Sequence, residues 1–287
     1  MIEDLLQRVL EATGYMPDGE PAPGVLLDND ARHMRRRRSF LPDALWQSSS
    51  ALTIYFKYEP TRPTDEHVAA WRQEIWNEGF APLLWVVSPD RIQLYNGFGR
   101  PLKEGDATKH RIRTFRHVDA QLKKLDALAG RLAMETGQFW LQAPEINRKT
   151  SVDQQLLSDL GFLESDLVGT DLDRIEAQGL IGRTIFTQYL IDRNIVPAQL
   201  LLELCGYDAL PRTLRDRTAT RQLFAWLVDT FNGDMFPSSS ATEPPDERHL
   251  GRVADFLEAV DPKTGQRTLF PYQFDVVPVE LISSIYE

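Results

Sequence analysis

The chain of 287 residues contains a single cysteine, Cys205, which excludes an internal disulfide framework. Such sparse cysteine usage suits a reducing cytoplasm, where we expect this protein to be found. Cys205 lies in the apolar run LLLELCG, a setting that predicts a buried structural thiol rather than a reactive one. Long apolar runs are also missing, since none approaches the roughly 20 residues that cross a bilayer, so we expect no membrane partner.

An excess of positive charge is missing as well. The chain has 32 Lys and Arg against 42 Asp and Glu, a formal net charge of -10. Dedicated nucleic-acid modules are usually basic, so this composition disfavours a free-standing DNA-binding protein. A local patch remains available in four consecutive arginines, whose planar donor forks suit phosphates. A solvated loop is the alternative interpretation of that run, which comprises Arg35, Arg36, Arg37 and Arg38.

Several catalytic motifs are absent from the sequence. The five histidines show no metal-ligand spacing with a supporting acid. The only glycine cluster, from Asn96 to Arg100, follows a predicted strand but opens no helix, which predicts a simple loop. No Asn-Pro-Pro or Asp-Pro-Pro sequence is present to grip a flipped adenine. The chain alone should therefore not methylate DNA, and we expect it to bind no cofactor.

The periodicity of apolar residues changes once along the chain. Alternation of apolar and polar residues and strand-type composition predict strands at 51–58, 82–87 and 91–96. Helical spacing of apolar residues predicts a helix at 64–78 that ends at Gly79. Residues 103–113 have the composition of a polar loop. Helical patterns dominate from Val118 onward, so we predict an α/β domain at 1–117 and an all-α helical domain at 118–287. Within the predicted helical domain, the predicted helices are 152–160, 172–194, 198–204, 218–231 and 247–260.

The helix at 172–194 has a broad apolar stripe, which predicts burial on more than one side. Thr170, with Asp173 three residues later, has the spacing of a capping box and predicts the helix start. Arg183 and Asp192 flank the apolar run, where we expect both side chains to reach water.

A second pattern invites comparison with the metal site of restriction nucleases. That site needs an acid, followed by a strand carrying an acid and a lysine two residues apart. Here Asp43 precedes the strand, and Tyr55 stands where the second acid belongs, on the same face as Lys57. One carboxylate is too little charge for Mg²⁺, although Glu59 could substitute as a ligand. We predict a degenerate restriction-nuclease-like mixed sheet, with a Mg²⁺-dependent nuclease as the alternative.

Three further stretches carry a family resemblance: LIGRTIFTQYLIDRNI at 180–195, FNGDMFP at 231–237 and FDVVPVELISSIYE at 274–287. Together they resemble the region before the catalytic domain in large restriction-modification and phage-defence N6-adenine DNA methyltransferases, of a type IIG-like organisation. The stretch at 82–101 is similar to the N-terminal domains of these enzymes, which often keep the nuclease strands and lose the acids.

The resemblance implies that this portion positions double-stranded DNA or a partner subunit. A downstream domain that is not in this chain, belonging either to a longer protein or to a separately encoded half, would bind S-adenosylmethionine and transfer the methyl group. Two other interpretations stay open. The first 117 residues could form a metal-dependent nuclease, or the chain could be a protein-interaction module without DNA contacts.

Overall fold

The computed structural model describes residues 3–27, 30, 40–48, 52–102, 105–231, 243–260 and 272–274. The chain divides into two compact units, Met1–Val152 and Asp153–Glu287. The arginine run at 35–38 and nearly all of the stretches at 231–237 and 274–287 lie outside the described residues. Within these residues, no helix combines the length and the apolar character that crossing a membrane requires.

The first unit is built on a mixed sheet of six strands, which confirms the predicted α/β architecture. The strands lie side by side in the order of the sequence, and only β3 and β4 pair in parallel. The three predicted strands correspond to β3, β4 and β5, whereas the short strands β1 and β2 carried too few residues for periodicity to reveal them. The strands are β1 Val25–Leu27, β2 Ala44–Gln47, β3 Thr53–Tyr58, β4 Leu83–Ser88, β5 Arg91–Asn96 and β6 Arg111–Arg116.

Helix α2, Asp65–Glu78, connects β3 to β4 and so permits their parallel pairing. It begins after Thr64, whose hydroxyl accepts a hydrogen bond from the His67 amide at 3.3 Å, and it ends at Gly79 with φ of +77°. The predicted helix at 64–78 is therefore confirmed at both ends. The helices of this unit are α1 Asp4–Ala12, α2 Asp65–Glu78, α3 Asp106–Lys109, α4 Val118–Ala129, α5 Arg131–Glu135 and α6 Gln138–Gln142.

Each face of the sheet has its own core. On one face, Tyr15 packs edge-on against Trp46, Phe56 and Trp85, with ring centroids 5.6, 5.0 and 5.8 Å away. Helices α1 and α4 to α6 add apolar side chains to this cluster. The other face packs against α2, and its buried residues are Phe40, Leu45, Tyr55, Val68, Ile75, Ala81, Leu84, Val86, Tyr95 and Ala107.

The division between the units follows Val152 and not the change of pattern near His117. Leu125 and Leu128 of α4 and Phe139 of α6 are buried in the same cluster as the sheet residues Trp85 and Leu94. The change from strands to helices thus marks the point where the chain moves from the sheet to the layer that covers it.

The second unit contributes the remaining helices of the described chain. Helix α8, Arg174–Asp192, is extensively buried, and the apolar residues Leu180, Ile181, Ile185 and Leu190 are all at most 4% exposed. The predicted burial of this helix is therefore confirmed. The helices are α7 Val152–Val168, α8 Arg174–Asp192, α9 Ala198–Cys205, α10 Leu210–Leu214, α11 Arg217–Phe231 and α12 Glu247–Leu257.

Two expectations about α8 are wrong. The N-cap is Asp173, whose carboxylate accepts hydrogen bonds from the amides of Ile175 and Glu176, whereas Thr170 bonds to carbonyls at the end of α7. Arg183 does not reach water, because its guanidinium lies 4.9 Å above the ring of Phe224 and its Nε donates to the Gly179 carbonyl. Both errors concern contacts with neighbouring helices. Thr170 bonds to the end of α7, and Phe224 of α11 covers Arg183, and the spacing of residues within α8 shows neither contact.

The cap assignment gives a stability prediction. Asp173→Ala should lower the free energy of unfolding by about 1 kcal/mol, because two amides at the start of α8 lose their acceptor. Asp173→Ser should stay close to the wild type, since serine is a comparable N-cap. Urea unfolding followed by far-UV circular dichroism measures both. Equal losses for the two variants would contradict the assignment.

Candidate functional site

The three residues singled out by the nuclease comparison meet at one end of the sheet. The Nζ of Lys57 lies 3.2 Å from Oδ2 of Asp43 and 3.8 Å from Oε1 of Glu59. The side chains are 18%, 14% and 27% exposed, so the cluster is only partly accessible to water. The structure thus brings Asp43, Lys57 and Glu59 together.

Strand pairing explains why these residues meet. Strands β2 and β3 are antiparallel with Leu45 opposite Tyr55, so Asp43, two residues before Leu45, falls opposite Lys57. The Asp43 amide donates to the Phe56 carbonyl at 2.9 Å, and the Asp43 carboxylate accepts from the Tyr58 amide at 2.8 Å. Asp43 thus holds the end of β3 through the main chain as well as through its ion pair with Lys57.

Tyr55 occupies the place where a nuclease carries its second acid. Its hydroxyl donates a hydrogen bond of 2.9 Å to Oε2 of Glu78 on α2, and both residues are buried. A tyrosine that donates to a carboxylate cannot also act as an anionic metal ligand. Sequence reasoning found the substitution but missed the partner Glu78, which only the crossover helix brings close.

The charge of the cluster is small. Two carboxylates surround one ammonium group, a formal balance of -1, whereas Mg²⁺ sites gather several oxygens without a competing cation. Across the residues that the structure describes, no group of three or more His, Cys, Asp or Glu side chains lies close enough to hold a metal. The arrangement is that of an ion pair between Lys57 and the two carboxylates, rather than that of a metal site.

The glycine cluster after β5 is a loop, as predicted, and its glycines serve packing. A Cβ on Gly97 would lie 2.0 Å from the carbonyl oxygen of Ala81, and one on Gly99 would lie 2.3 Å from Nδ1 of His110. Asn96 folds the loop by accepting bonds from the amides of Phe98 and Gly99, at 2.9 and 3.1 Å. The glycines are therefore needed for close contact within the protein rather than for a phosphate.

A buried arginine on α2 holds this loop in place. Arg72 is fully buried and donates to the carbonyls of Asn96 and Gly99, at 2.9 and 2.7 Å, and it pairs with Asp106. Burial lowers the pKa of Arg72, and the Asp106 carboxylate opposes that shift. Burial and the nearby Arg72 guanidinium likewise lower the pKa of His110. Periodicity gave no signal for this network, because its members come from three separate elements.

Two further histidines and the cysteine have defined surroundings within their own units. His67 is exposed on α2, as expected, and His249 is buried with its Nε2 2.9 Å from the Thr170 carbonyl. Burial raises the pKa of the Cys205 thiol to about 11. The prediction of a buried structural cysteine is confirmed.

The chain was compared with family models, curated proteins and solved structures, and no match was found in any of the three comparisons.

The Arg72 network predicts a large loss of stability on substitution. Arg72→Met should cost about 3–5 kcal/mol, because the Asp106 carboxylate stays buried without its cation. Adding Asp106→Asn should recover part of the loss by removing that charge. Arg8→Met is the matched control, since Arg8 pairs with Asp119 at the exposed surface and should cost at most about 1 kcal/mol.

Denaturant unfolding followed by tryptophan fluorescence suits this test, because most of the tryptophans belong to the first unit. If Arg72→Met lost no more stability than Arg8→Met, the buried pair would not have the importance we assign to it. The tryptophans of this unit are Trp46, Trp71, Trp76, Trp85 and Trp140.

The thiol environment predicts slow alkylation. With a pKa of about 11 in place of the ordinary 9.0, the thiolate fraction of Cys205 at pH 8 falls about 100-fold. Iodoacetamide should therefore label the folded protein at least 100-fold more slowly than the urea-unfolded protein. Mass spectrometry of timed samples measures both rates, and equal rates would show that the thiol is exposed.

Proposed function

We propose that this chain is the N-terminal portion of a restriction-modification or phage-defence N6-adenine DNA methyltransferase. Its α/β domain would be a nuclease-like domain that has lost its metal, followed by an all-α helical domain. The portion would position double-stranded DNA or a partner subunit for methylation by a downstream domain. The observation that carries the proposal is the pairing of Asp43 with Lys57 across β2 and β3, with Tyr55 in place of the second acid.

The charges of the cluster favour positioning over cleavage. In a metal-dependent nuclease, carboxylates hold the cation while the lysine activates water or steadies developing charge. Here the Lys57 ammonium is 3.2 Å from Asp43 and 3.8 Å from Glu59, so the ammonium already neutralises part of their charge. The Tyr55 hydroxyl is directed to Glu78. The proposed domain therefore keeps the arrangement of a nuclease without its metal-binding capacity.

A Mg²⁺-dependent nuclease is the second candidate, and one observation favours it. Glu59 joins Asp43 beside Lys57, which supplies two carboxylates in place of one. In this alternative, Asp43 and Glu59 would hold the cation and Lys57 would assist the attacking water. S-adenosylmethionine has no place in either candidate for this chain, because the proposed cofactor site belongs to the downstream domain.

A cleavage and binding assay separates the two candidates. We expect the protein to bind duplex DNA, with an affinity that falls as salt rises, and to leave plasmid intact in Mg²⁺ or Mn²⁺. Plasmid cleavage that is abolished by Asp43→Ala and by Lys57→Ala would instead establish the nuclease. The absence of any DNA binding would reject the DNA-positioning role and leave a protein partner as the remaining interpretation.

The arginine run is the predicted DNA contact of this portion. Replacing Arg35, Arg36, Arg37 and Arg38 by serine should weaken binding about equally for every DNA sequence, because phosphate contacts carry no sequence information. The slope of log K against log salt should flatten by up to about 0.9 per lost contact. Replacement by lysine, which retains the charge, is the control. Unchanged affinity and slope in the serine variant would show that the run is a solvated loop.

A further inference from the structure

Strand β6 lies at one edge of the six-stranded sheet and pairs with β5 alone among the strands of the described chain. The sequence around it, TKHRIRTFRH at 108–117, has four Lys or Arg residues, two His and no acid. Such a basic stretch contrasts with the net charge of -10 for the whole chain. The edge is therefore a local positive surface on an acidic protein.

Two arginines of this strand are exposed and have no ion-pair partner in the part of the chain that the structure describes, namely Arg113 and Arg116. Neighbouring arginines differ in this respect. Arg91, directly opposite Arg116, donates to the Asp90 carboxylate from its Nε at 2.8 Å. Arg111 is partly buried and hydrogen-bonded to Tyr95. Among these four arginines, Arg113 and Arg116 are the ones whose charges are available to an outside anion.

The geometry of the strand places donors on three sides of the edge. Arg113 and Arg116 are three residues apart, so their side chains project to opposite faces of the sheet. The His117 amide donates inward to the Asp90 carbonyl at 3.2 Å. Alternation along the strand then directs the amides of Thr114 and Arg116 outward. Exposed guanidinium groups, outward amides and the Thr114 hydroxyl together suit the oxygens of a phosphodiester chain.

The edge also shares its end of the sheet with the Asp43–Lys57 cluster. Strand pairing puts Lys57, Val86, Gln93 and Thr114 in one row across the sheet. With roughly 4.8 Å between neighbouring strands, Thr114 lies about 14 Å from Lys57. Arg113 and Arg116 are about 10 Å apart along the strand, a length that spans roughly three phosphates of one DNA strand.

We infer that Arg113 and Arg116 form a second contact for the backbone of duplex DNA, along edge strand β6. The inference rests on the proposed DNA-positioning function and extends it to a surface that the arginine run does not include. Charge complementarity identifies the occupant, because the edge presents unpaired positive charge and hydrogen-bond donors. The same charges oppose the addition of another strand, which disfavours an extended peptide as the partner.

The test measures binding of the full chain to a labelled duplex of mixed sequence, by fluorescence anisotropy across a salt series from about 50 to about 200 mM. Arg113→Ser/Arg116→Ser should flatten the slope of log K against log salt by about 1.8, for two lost phosphate contacts. At about 0.1 M salt, the affinity should fall at least tenfold. Arg113→Lys/Arg116→Lys, which retains both charges, should keep most of the slope.

The matched control is Lys123→Ser/Lys124→Ser, which removes the same charge from two exposed residues of α4. Its slope should stay close to that of the wild type. Equal effects of the serine variants at the two places would overturn the inference, because they would reflect net charge alone. A wild-type slope in the Arg113/Arg116 serine variant, with its circular dichroism spectrum preserved, would also overturn it.

Two further outcomes separate this inference from the proposed function. Binding that depends on Arg35 to Arg38 but not on Arg113 and Arg116 would leave the proposed function standing and reject the edge contact. Absence of DNA binding by the wild type would reject the edge contact together with the DNA-positioning role, and would leave a protein partner as the remaining interpretation. A change of oligomeric state in the Arg113/Arg116 serine variant, seen by light scattering without a change in salt slope, would identify the edge as a protein contact.

Discussion

The ion pair between Arg72 and Asp106 is the interaction on which the first unit depends. One buried guanidinium joins the crossover helix α2 to the loop after β5 and to the short helix α3. Those elements lead directly into β6, so the position of the edge strand depends on the buried pair of Arg72 and Asp106. Removing two ions from water is costly, and the cost is offset because each nitrogen of the Arg72 guanidinium donates a hydrogen bond. The glycines of the loop follow from this arrangement, since the chain must pass close to Ala81 and His110.

The position of the Asp43–Lys57 cluster is set by the strand register. The strand register brings Asp43 opposite Lys57, and this depends on main-chain hydrogen bonds that a metal does not supply. Tyr55, by contrast, is held through its side chain, whose hydroxyl donates a hydrogen bond to Glu78. A tyrosine at position 55 is therefore compatible with the sheet, because it is buried and hydrogen-bonded.

Local signals in the sequence were sufficient for part of this description. The limits of α2 followed from Thr64 and Gly79, and the meeting of Asp43 with Lys57 followed from the order of an acid and a strand. Contacts between distant segments were not predictable in this way. Arg183 looked like a residue at the border of an apolar stripe, but Phe224 covers it from another helix. The segment 103–113 has the composition of a polar loop, although its last residues begin the edge strand β6, because arginine occupies an exposed position there.

The order of strands in the sheet has a consequence for how the first unit folds. Every strand pairs with the strand that follows it in the sequence, so the sheet consists of two three-stranded meanders, β1 to β3 and β4 to β6. Each meander can close through contacts of low sequence separation, which is the condition for rapid folding. Only the parallel pairing of β3 with β4 must wait for α2 to cross between them. The two meanders are thus each local in sequence, and the crossover helix joins them into one sheet.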